Sequence, residues 1–343
     1  MNTNFIYSVI IYAVTFTVST FFMWLSEHKT RSRKFFALMA ITVPSVVAAY
    51  RESGVDYLTY KEIYYYIHGG GKGYTEWGWN LLNKISPTHW VLLFVSAFIF
   101  LLVIYKAIKF FIKENKTLAW FIVLIVPYSS FYNGMRQMLA SAFVFLALAY
   151  FMKKQYITCA VLTLIGGSFH KTAYVIIFVL IFYLLWVWKK KKFGFIILLI
   201  SVACFLMAPL AVAVAGKLGI FSKYFVNDTA NIAWGFMLYM IPPLFFYYIK
   251  RSHFTDHTTN MCLAVYLLSI PFQVLGFRIT YADRFMWFTQ IFIVVLVPMI
   301  VSEYKKMGWD KPVKCMYYMW FVFCHIVLDI IMNGSAIYPY RVF

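Results

Sequence analysis

The chain has 343 residues, 63% hydrophobic and 13% charged, with a formal charge of +19. Soluble domains are nearer half apolar and a quarter charged, so the composition excludes an ordinary soluble enzyme and predicts one all-α integral-membrane domain over residues 1–343. The basic residues cluster between apolar runs, as topology signals do, which excludes nucleic acid as the partner. Cys159, Cys204, Cys262, Cys315 and Cys324 lie in or beside apolar runs without metal-ligand spacing, and read as small apolar packing residues.

Apolar runs recur at 4–25, 35–50, 89–112, 118–132, 134–152, 156–169, 172–188, 193–215, 234–249, 258–276, 285–302 and 315–332. An open backbone in lipid leaves its amides unsatisfied, so the runs predict about twelve membrane helices. The first starts at Asn4 with no basic stretch before it and no small-residue cleavage site, and is not read as a signal peptide. Alternate connections hold 20 of the 31 basic residues, and the positive-inside rule puts that set in the cytoplasm with both termini outside. The cytoplasmic set is 17 Lys and 3 Arg, whereas Arg51, Arg136, Arg278, Arg284 and Arg341 make five of the eleven outside cations. Topology needs only charge. Arginine adds a fork of donors that grips phosphate in two places, so the outer face is the one enriched for anion recognition.

The largest extracytoplasmic connection is residues 51–88. If its start is helical, Asp56, Tyr60 and Tyr64 share a face, and aromatic rings beside a carboxylate suit a sugar. An interfacial aromatic belt is the competing reading. Glu76, in Tyr74-Thr75-Glu76-Trp77, is a second carboxylate in an aromatic setting.

The stretch 118–152 is apolar except at its middle, Tyr128 to Gln137, where Pro127 and Gly134 mark a break. Its first arm has about 15 residues, roughly 22 Å of helix, against a hydrocarbon core of about 30 Å. The turn is therefore expected below the outer surface. Asn133 is a good N-cap for the returning helix, and Arg136 falls in its first turn. A cation there opposes the helix dipole, and an anion held by Arg136 and free N–H groups removes the conflict. The competing reading is an Arg that snorkels to the headgroups. The stretch 156–188 repeats this plan around Gly166-Gly167-Ser168-Phe169-His170-Lys171-Thr172. His170 is either a proton acceptor or a ring satisfied by a nearby carbonyl.

The last outer cluster is Arg278-Ile279-Thr280-Tyr281-Ala282-Asp283-Arg284, where Asp283 pairs with one Arg and leaves the other for an anion. Asp329 is the only carboxylate deep in a run. No Walker glycine loop and no H-E-x-x-H motif occurs, so neither a nucleotide donor nor a metal or other cofactor is expected.

In order, Arg51…Gly54…Asp56-Tyr57…Tyr60, Glu76…Gly78, Asn133…Arg136-Gln137…Ala140, His170…Thr172-Ala173, Tyr281…Arg284 and Pro339-Tyr340 resemble the EpsG-like family of Wzy-type polysaccharide polymerases. The similarity covers nearly the whole chain, and Arg-Gln-x-x-Ala and Phe-His-x-[Ser/Thr]-Ala are its most specific parts. Position 171 is Lys, and Thr172 stands where the family often has Ser. The resemblance implies a multi-pass protein of the bacterial cytoplasmic membrane, like the lipid-donor (GT-C-like) glycosyltransferases, with its site facing the exterior. It implies inverting, metal-independent transfer of a growing glycan from undecaprenyl pyrophosphate onto a new lipid-linked repeat unit, in O-antigen, capsule or exopolysaccharide synthesis. Arg136, Arg284, Arg51 and Arg278 would then hold pyrophosphate. His170, ahead of Asp56 and Glu76, would be the base. Tyr57, Tyr60, Tyr64, Asn133 and Gln137 would line the sugar site. A Wzz-type chain-length regulator is the implied protein partner, beside the bilayer and the lipid-linked oligosaccharide. The alternatives are an O-antigen-type ligase or single-sugar transferase with a polyprenyl-phosphate donor, a flippase or transporter for the lipid-linked unit, and a membrane acyltransferase.

Overall fold

The protein is described by a computed structural model that covers residues 3–29, 31–189, 193–217, 235–249, 256–277, 279, 282–334 and 337–340. In chain order the α-helices are α1 (Thr3–His28), α2 (Arg33–Ala49), α3 (Tyr57–His68), α4 (Trp77–Ile85), α5 (His89–Phe111), α6 (Lys116–Ile125), α7 (Pro127–Phe131), α8 (Met135–Met152), α9 (Tyr156–Phe169), α10 (Ile176–Lys189), α11 (Phe193–Lys217), α12 (Gly235–Ile249), α13 (His257–Leu267), α14 (Ser269–Gly276), α15 (Trp287–Gln290), α16 (Ile293–Lys305) and α17 (Asp310–His325). Tight 3₁₀ turns occupy Lys171–Val175 and Ala282–Met286, and α17 runs on as a π-helix over Ile326–Ile331. No strand occurs among the described residues.

Helix occupies all or most of each apolar interval. Six segments are long and apolar enough to cross a membrane: Phe5–His28, His89–Phe111, Met135–Met152, His257–Gly276, Arg284–Lys305 and Asp310–Ile331. Lys116–Phe131 and Tyr156–Phe169 are among the shorter apolar helices, as their sequence lengths required. The chain is thus a multi-pass helical membrane protein, with these six long spans and further shorter apolar helices among the described residues. The connection 51–88 is not an open loop, because it folds into α3 and α4.

The chain packs as two compact units. One comprises residues 1–174 and 297–343, the other residues 175–296. In the first, α1 lies on α2, α2 on α5, α5 on α8 and α8 on α9, with α6 against α1 and α17. Beyond its first turn α8 is apolar on every side, and a helix of that kind is buried all round; nearly all of its residues are enclosed. In the second unit α10 packs on α13, and α11 on α14.

A proline sets the core of the first unit. Pro44 sits inside α2 and has no N–H, so the Ala40 carbonyl loses its helical donor. Ser19 of α1 supplies the missing bond, with Oγ donating to the Ala40 oxygen at 2.6 Å. The same Oγ accepts the indole N–H of Trp120 in α6 at 2.8 Å. Ser19, Ala40 and Trp120 are all fully buried, so one hydroxyl ties three helices where water cannot substitute. At one end of the bundle Glu27 of α1 takes the free N–H groups that open α6, those of Lys116 at 2.9 Å and Thr117 at 3.0 Å. A carboxylate at a helix start satisfies orphan donors and favours the dipole.

This junction is testable by a double-mutant cycle. Ser19→Ala orphans a buried carbonyl and a buried N–H, each costing about 1–3 kcal/mol, and lowers the melting temperature of the detergent-purified protein. Pro44→Ala restores an N–H opposite the Ala40 carbonyl and recovers part of that loss. Strict additivity of the two changes would refute the coupling.

Candidate active site

The first unit gathers charged and titratable groups from four separate parts of the chain. Arg136 is the second residue of α8, and its Nη1 lies 3.0 Å from Oε2 of Glu76. Both side chains are largely enclosed, at 19% exposure each. Glu76 stands at the N-cap position of α4 but makes no cap bond there. Its other oxygen accepts the backbone N–H of Lys171 at 3.1 Å. One carboxylate therefore joins the start of α8 to the turn that follows His170. The main-chain N–H of Arg136, an orphan donor of the first helical turn, points to the Tyr60 hydroxyl at 3.5 Å.

The closeness of α4 to α9 makes this possible. A Cβ built on Gly78 would fall 2.3 Å from Oγ of Ser168, so only glycine lets the two helices meet. Their contact puts Glu76, two residues before Gly78, on the Lys171 N–H, three residues after Ser168.

His170 ends α9 in an extended conformation. Its Nδ1 accepts the Thr172 N–H at 3.3 Å and lies 2.6 Å from Thr172 Oγ1. An acceptor Nδ1 puts the ring proton on Nε2 in the neutral form. For Nε2 to accept a proton, the ring must take the other tautomer and donate from Nδ1 to Thr172 Oγ1, for which the 2.6 Å contact is already short enough.

Arg51 is the second buried cation. It is 0% exposed and lies over the Tyr132 ring, 3.7 Å from its centroid. None of its three side-chain nitrogens has a hydrogen-bond partner among the described residues. Gly54 adopts φ +109°, and a Cβ there would lie 2.5 Å from the Tyr132 carbonyl oxygen and 3.3 Å from Arg51 Nη1. Asn133 does not cap α8, as its sequence position suggests, because Gly134 holds that place. The Asn133 side chain instead accepts the Val55 N–H at 3.2 Å, pinning the turn before α8 to the Arg51–Asp56 segment. A longer-range donor took the oxygen that local capping would have used.

The predicted sugar-facing tyrosines point inward. Tyr57, Tyr60 and Tyr64 are 2%, 5% and 4% exposed. Tyr57 donates to Glu52 at 3.4 Å and packs on His89; Tyr60 packs on Trp79; Tyr64 donates to the Ser86 carbonyl at 3.1 Å. Burial, and after it the Glu52 carboxylate, pushes the Tyr57 hydroxyl above its usual pKa. In α3 the exposed rings are Tyr65 and Tyr66. Asp56 stands at the N-cap position of α3 without a side-chain cap bond, and Gln137 is buried in α8. Arg284 belongs to the second unit, where its guanidinium lies 5.6 Å from the Trp287 ring centroid. Arg278, Tyr281 and Arg341 fall outside the described residues.

One constellation escaped the sequence reading. His325 Nδ1 lies 2.7 Å from Asp329 Oδ2, and Nε2 lies 3.1 Å from the Tyr338 hydroxyl. All three side chains are buried. Burial, then Asp329, holds the Tyr338 pKa high, so this phenol keeps its proton. The Tyr338 ring in turn packs on Tyr12, and Tyr12 on Tyr132 beneath Arg51. The i, i+4 spacing of His325 and Asp329 was visible; Tyr338, supplied by the tail, was not.

The family model for the EpsG family matches residues 34–342. Neither a curated protein nor a solved structure matches the chain.

Two glycines separate backbone strain from packing at this site. Gly54 and Gly70 both have positive φ, but a Cβ on Gly70 meets nothing within 4 Å. Gly70→Ala is expected to cost about 1 kcal/mol, the penalty of the left-handed backbone. Gly54→Ala adds the collision with the Tyr132 carbonyl and is expected to lower the melting temperature clearly more. Equal shifts for the two variants would show that Gly54 is needed for its φ alone.

Proposed function

Because the chain belongs to the EpsG family, and so is a membrane protein of polysaccharide-polymerase type, we propose that it moves a growing glycan from undecaprenyl pyrophosphate onto a new lipid-linked repeat unit at the outer face of the cytoplasmic membrane. The observation that carries this reading is the Glu76 bridge, which brings Arg136 together with the segment holding His170.

In the proposed reaction an acceptor sugar hydroxyl attacks the anomeric carbon of the donor glycan. The bond from that carbon to the pyrophosphate oxygen breaks, and the lipid pyrophosphate leaves with the electron pair. Attack opposite the leaving group inverts the anomeric centre. The hydroxyl proton passes to Nε2 of His170, with Thr172 Oγ1 accepting from Nδ1 and fixing the ring. Glu76 already faces a guanidinium and a backbone donor, and its role is to position Arg136. Arg136 stabilises charge developing on the departing phosphate, as oxyanion donors do. Arg51 is a further candidate for the pyrophosphate, and Asp56 is the reserve carboxylate. The leaving group is stable as an anion, so no strong general acid is required.

A deletion strain is expected to accumulate single-repeat glycans that still reach the surface. Repeats trapped inside the cell would instead indicate transport of the lipid-linked unit. With purified lipid-linked repeat unit, Arg136→Ala is expected to lower kcat by about 10²–10³-fold, and Arg136→Lys by less. His170→Ala is expected to cost about 10²–10⁴-fold; near-normal turnover in that variant would place the base elsewhere.

A further inference from the structure

The connection between α3 and α4 builds a surface that the reaction above does not use. A groove of about 560 Å³ is lined by Leu58, Lys61, Glu62, Tyr65, Tyr66 and Tyr74. Its volume falls within the ordinary range of small-molecule sites. Tyr65, Tyr66 and Tyr74 are 59%, 51% and 69% exposed. A second groove of about 570 Å³ adjoins it, sharing Lys61 and Tyr65 and reaching Tyr50 and Trp90. Their shared residues make the two grooves one open track along α3.

The rings are set in place by the chain around them. Gly71 lies so close to Tyr66 that a Cβ there would sit 2.5 Å from the ring carbons Cε1 and Cζ. The Gly71 N–H donates to the Tyr66 carbonyl at 2.9 Å. Tyr74 meets the Tyr66 ring edge-on, with centroids 5.8 Å apart and planes at 63°. The far end of the loop is closed by Asn80, whose side-chain N–H donates to the Thr75 carbonyl at 2.7 Å and whose amide crowds Gly73. An aromatic platform fixed in advance loses little entropy when it binds.

We propose that this track, centred on Tyr66 and Tyr74, is a carbohydrate-binding subsite for the oligosaccharide beyond the reacting sugar. The proposal rests on the reading given under the preceding heading and extends it to substrate length. The chemistry fits a neutral or weakly charged glycan. Exposed ring faces cover the apolar C–H faces of pyranose rings, and the Glu62 carboxylate, exposed and without a partner among the described residues, accepts from hydroxyls. Lys61, paired with Glu52 at 3.2 Å, also lines the groove and offers donors. The track also joins the candidate active site through the chain itself, because Tyr74 is two residues from Glu76. A glycan whose reacting sugar lies at Arg136 and His170 would leave along this loop. An aromatic belt at the membrane interface uses the same residue types, but it requires neither the Gly71 contact nor a free carboxylate between the rings.

The test uses the full-length protein in nanodiscs. The probe is the oligosaccharide released by mild acid from the host's lipid-linked repeat unit, titrated by calorimetry as a single repeat and as longer fragments. Wild type is expected to bind longer fragments more tightly. Tyr66→Ala with Tyr74→Ala is expected to weaken binding about tenfold, the order expected for losing two aromatic faces, and to raise the KM for lipid-linked repeat more than it lowers kcat. Tyr66→Phe with Tyr74→Phe keeps both ring faces and is expected to stay close to wild type. Tyr156→Ala, an exposed ring remote in sequence from the groove, serves as the control. Wild-type affinity in the double Ala variant overturns the proposal, as does equal loss in the Phe pair. Reduced membrane content of the double Ala variant with normal affinity identifies an interfacial belt and overturns it too. Failure of the polymerase reading shows separately, as a deletion strain with unchanged polymer, and glycan binding dependent on Tyr66 and Tyr74 would survive that result as a carbohydrate site alone.

Discussion

A guanidinium inside an apolar bundle must be paired, stacked or opened to an anion, because unpaired charge away from water is costly. This protein treats its two enclosed arginines differently, and the arrangement of the first unit follows from that difference. Arg136 is paired, with Glu76 Oε2 at 3.0 Å. To deliver that carboxylate, α4 must lie against α9, and Gly78 leaves room for it. Arg51 is stacked, with Tyr132 below it and, among the described residues, no hydrogen-bond partner on any side-chain nitrogen. To hold that stack, the segment after α2 must pass across the Tyr132 carbonyl, and Gly54 leaves room there. Each cation thus fixes a glycine and a close approach of backbone.

The two solutions differ in what they permit. An ion pair at 19% exposure can exchange one anion for another, since a phosphate oxygen satisfies the same Nη1 that Glu76 now faces. A sealed guanidinium over a ring cannot exchange without movement of its cover. That cover is aromatic and comes from several helices and the tail: Tyr132 packs on Tyr12, and Tyr12 packs on both Tyr338 and Tyr340. The C-terminal residues are built into this layer, with the Tyr340 N–H donating to Ser8 at 2.7 Å and its hydroxyl to the Val47 carbonyl at 2.8 Å.

The helices were legible in the sequence because hydropathy over a window is a local property, and lipid leaves few other backbone conformations. The short arms around residues 127–134 and 166–172 were legible for the same reason. What was not legible depends on partners distant in the chain. Asn133 reads locally as a cap, yet its oxygen meets Val55. Periodicity correctly placed Tyr60 and Tyr64 on one face of α3, but cannot say which face turns inward; α4 and the start of α5 decide that by covering Tyr57, Tyr60 and Tyr64. Arg136 and Glu76 were each singled out by residue type, but their pairing required α4 to fold back on α9, which no spacing encodes. Asp329 stood out as a buried carboxylate, and its partner His325 sits one helical turn before it. Sequence gave no reason to bring Tyr338 to the same ring.

That last cluster bears on which histidine suits proton transfer. His325 has both ring nitrogens engaged, one by a carboxylate and one by a phenol that burial keeps protonated. Such a ring is held in a single tautomer, and its hydrogen bonds span α17, the π-helix and the tail. The ring is buried and its Nε2 is covered by Tyr338, so no substrate hydroxyl reaches it without movement of that layer. His170 is held at Nδ1 by Thr172, whose hydroxyl can either donate or accept. On changing tautomer the ring keeps the 2.6 Å contact, with Nδ1 donating to Thr172 Oγ1, and gives up the 3.3 Å bond from the Thr172 N–H. A general base must gain and release a proton in every cycle with its surroundings intact. His170 is half-buried and its ring is within reach of a substrate, whereas His325 is sealed beneath Tyr338 and serves as a structural tie.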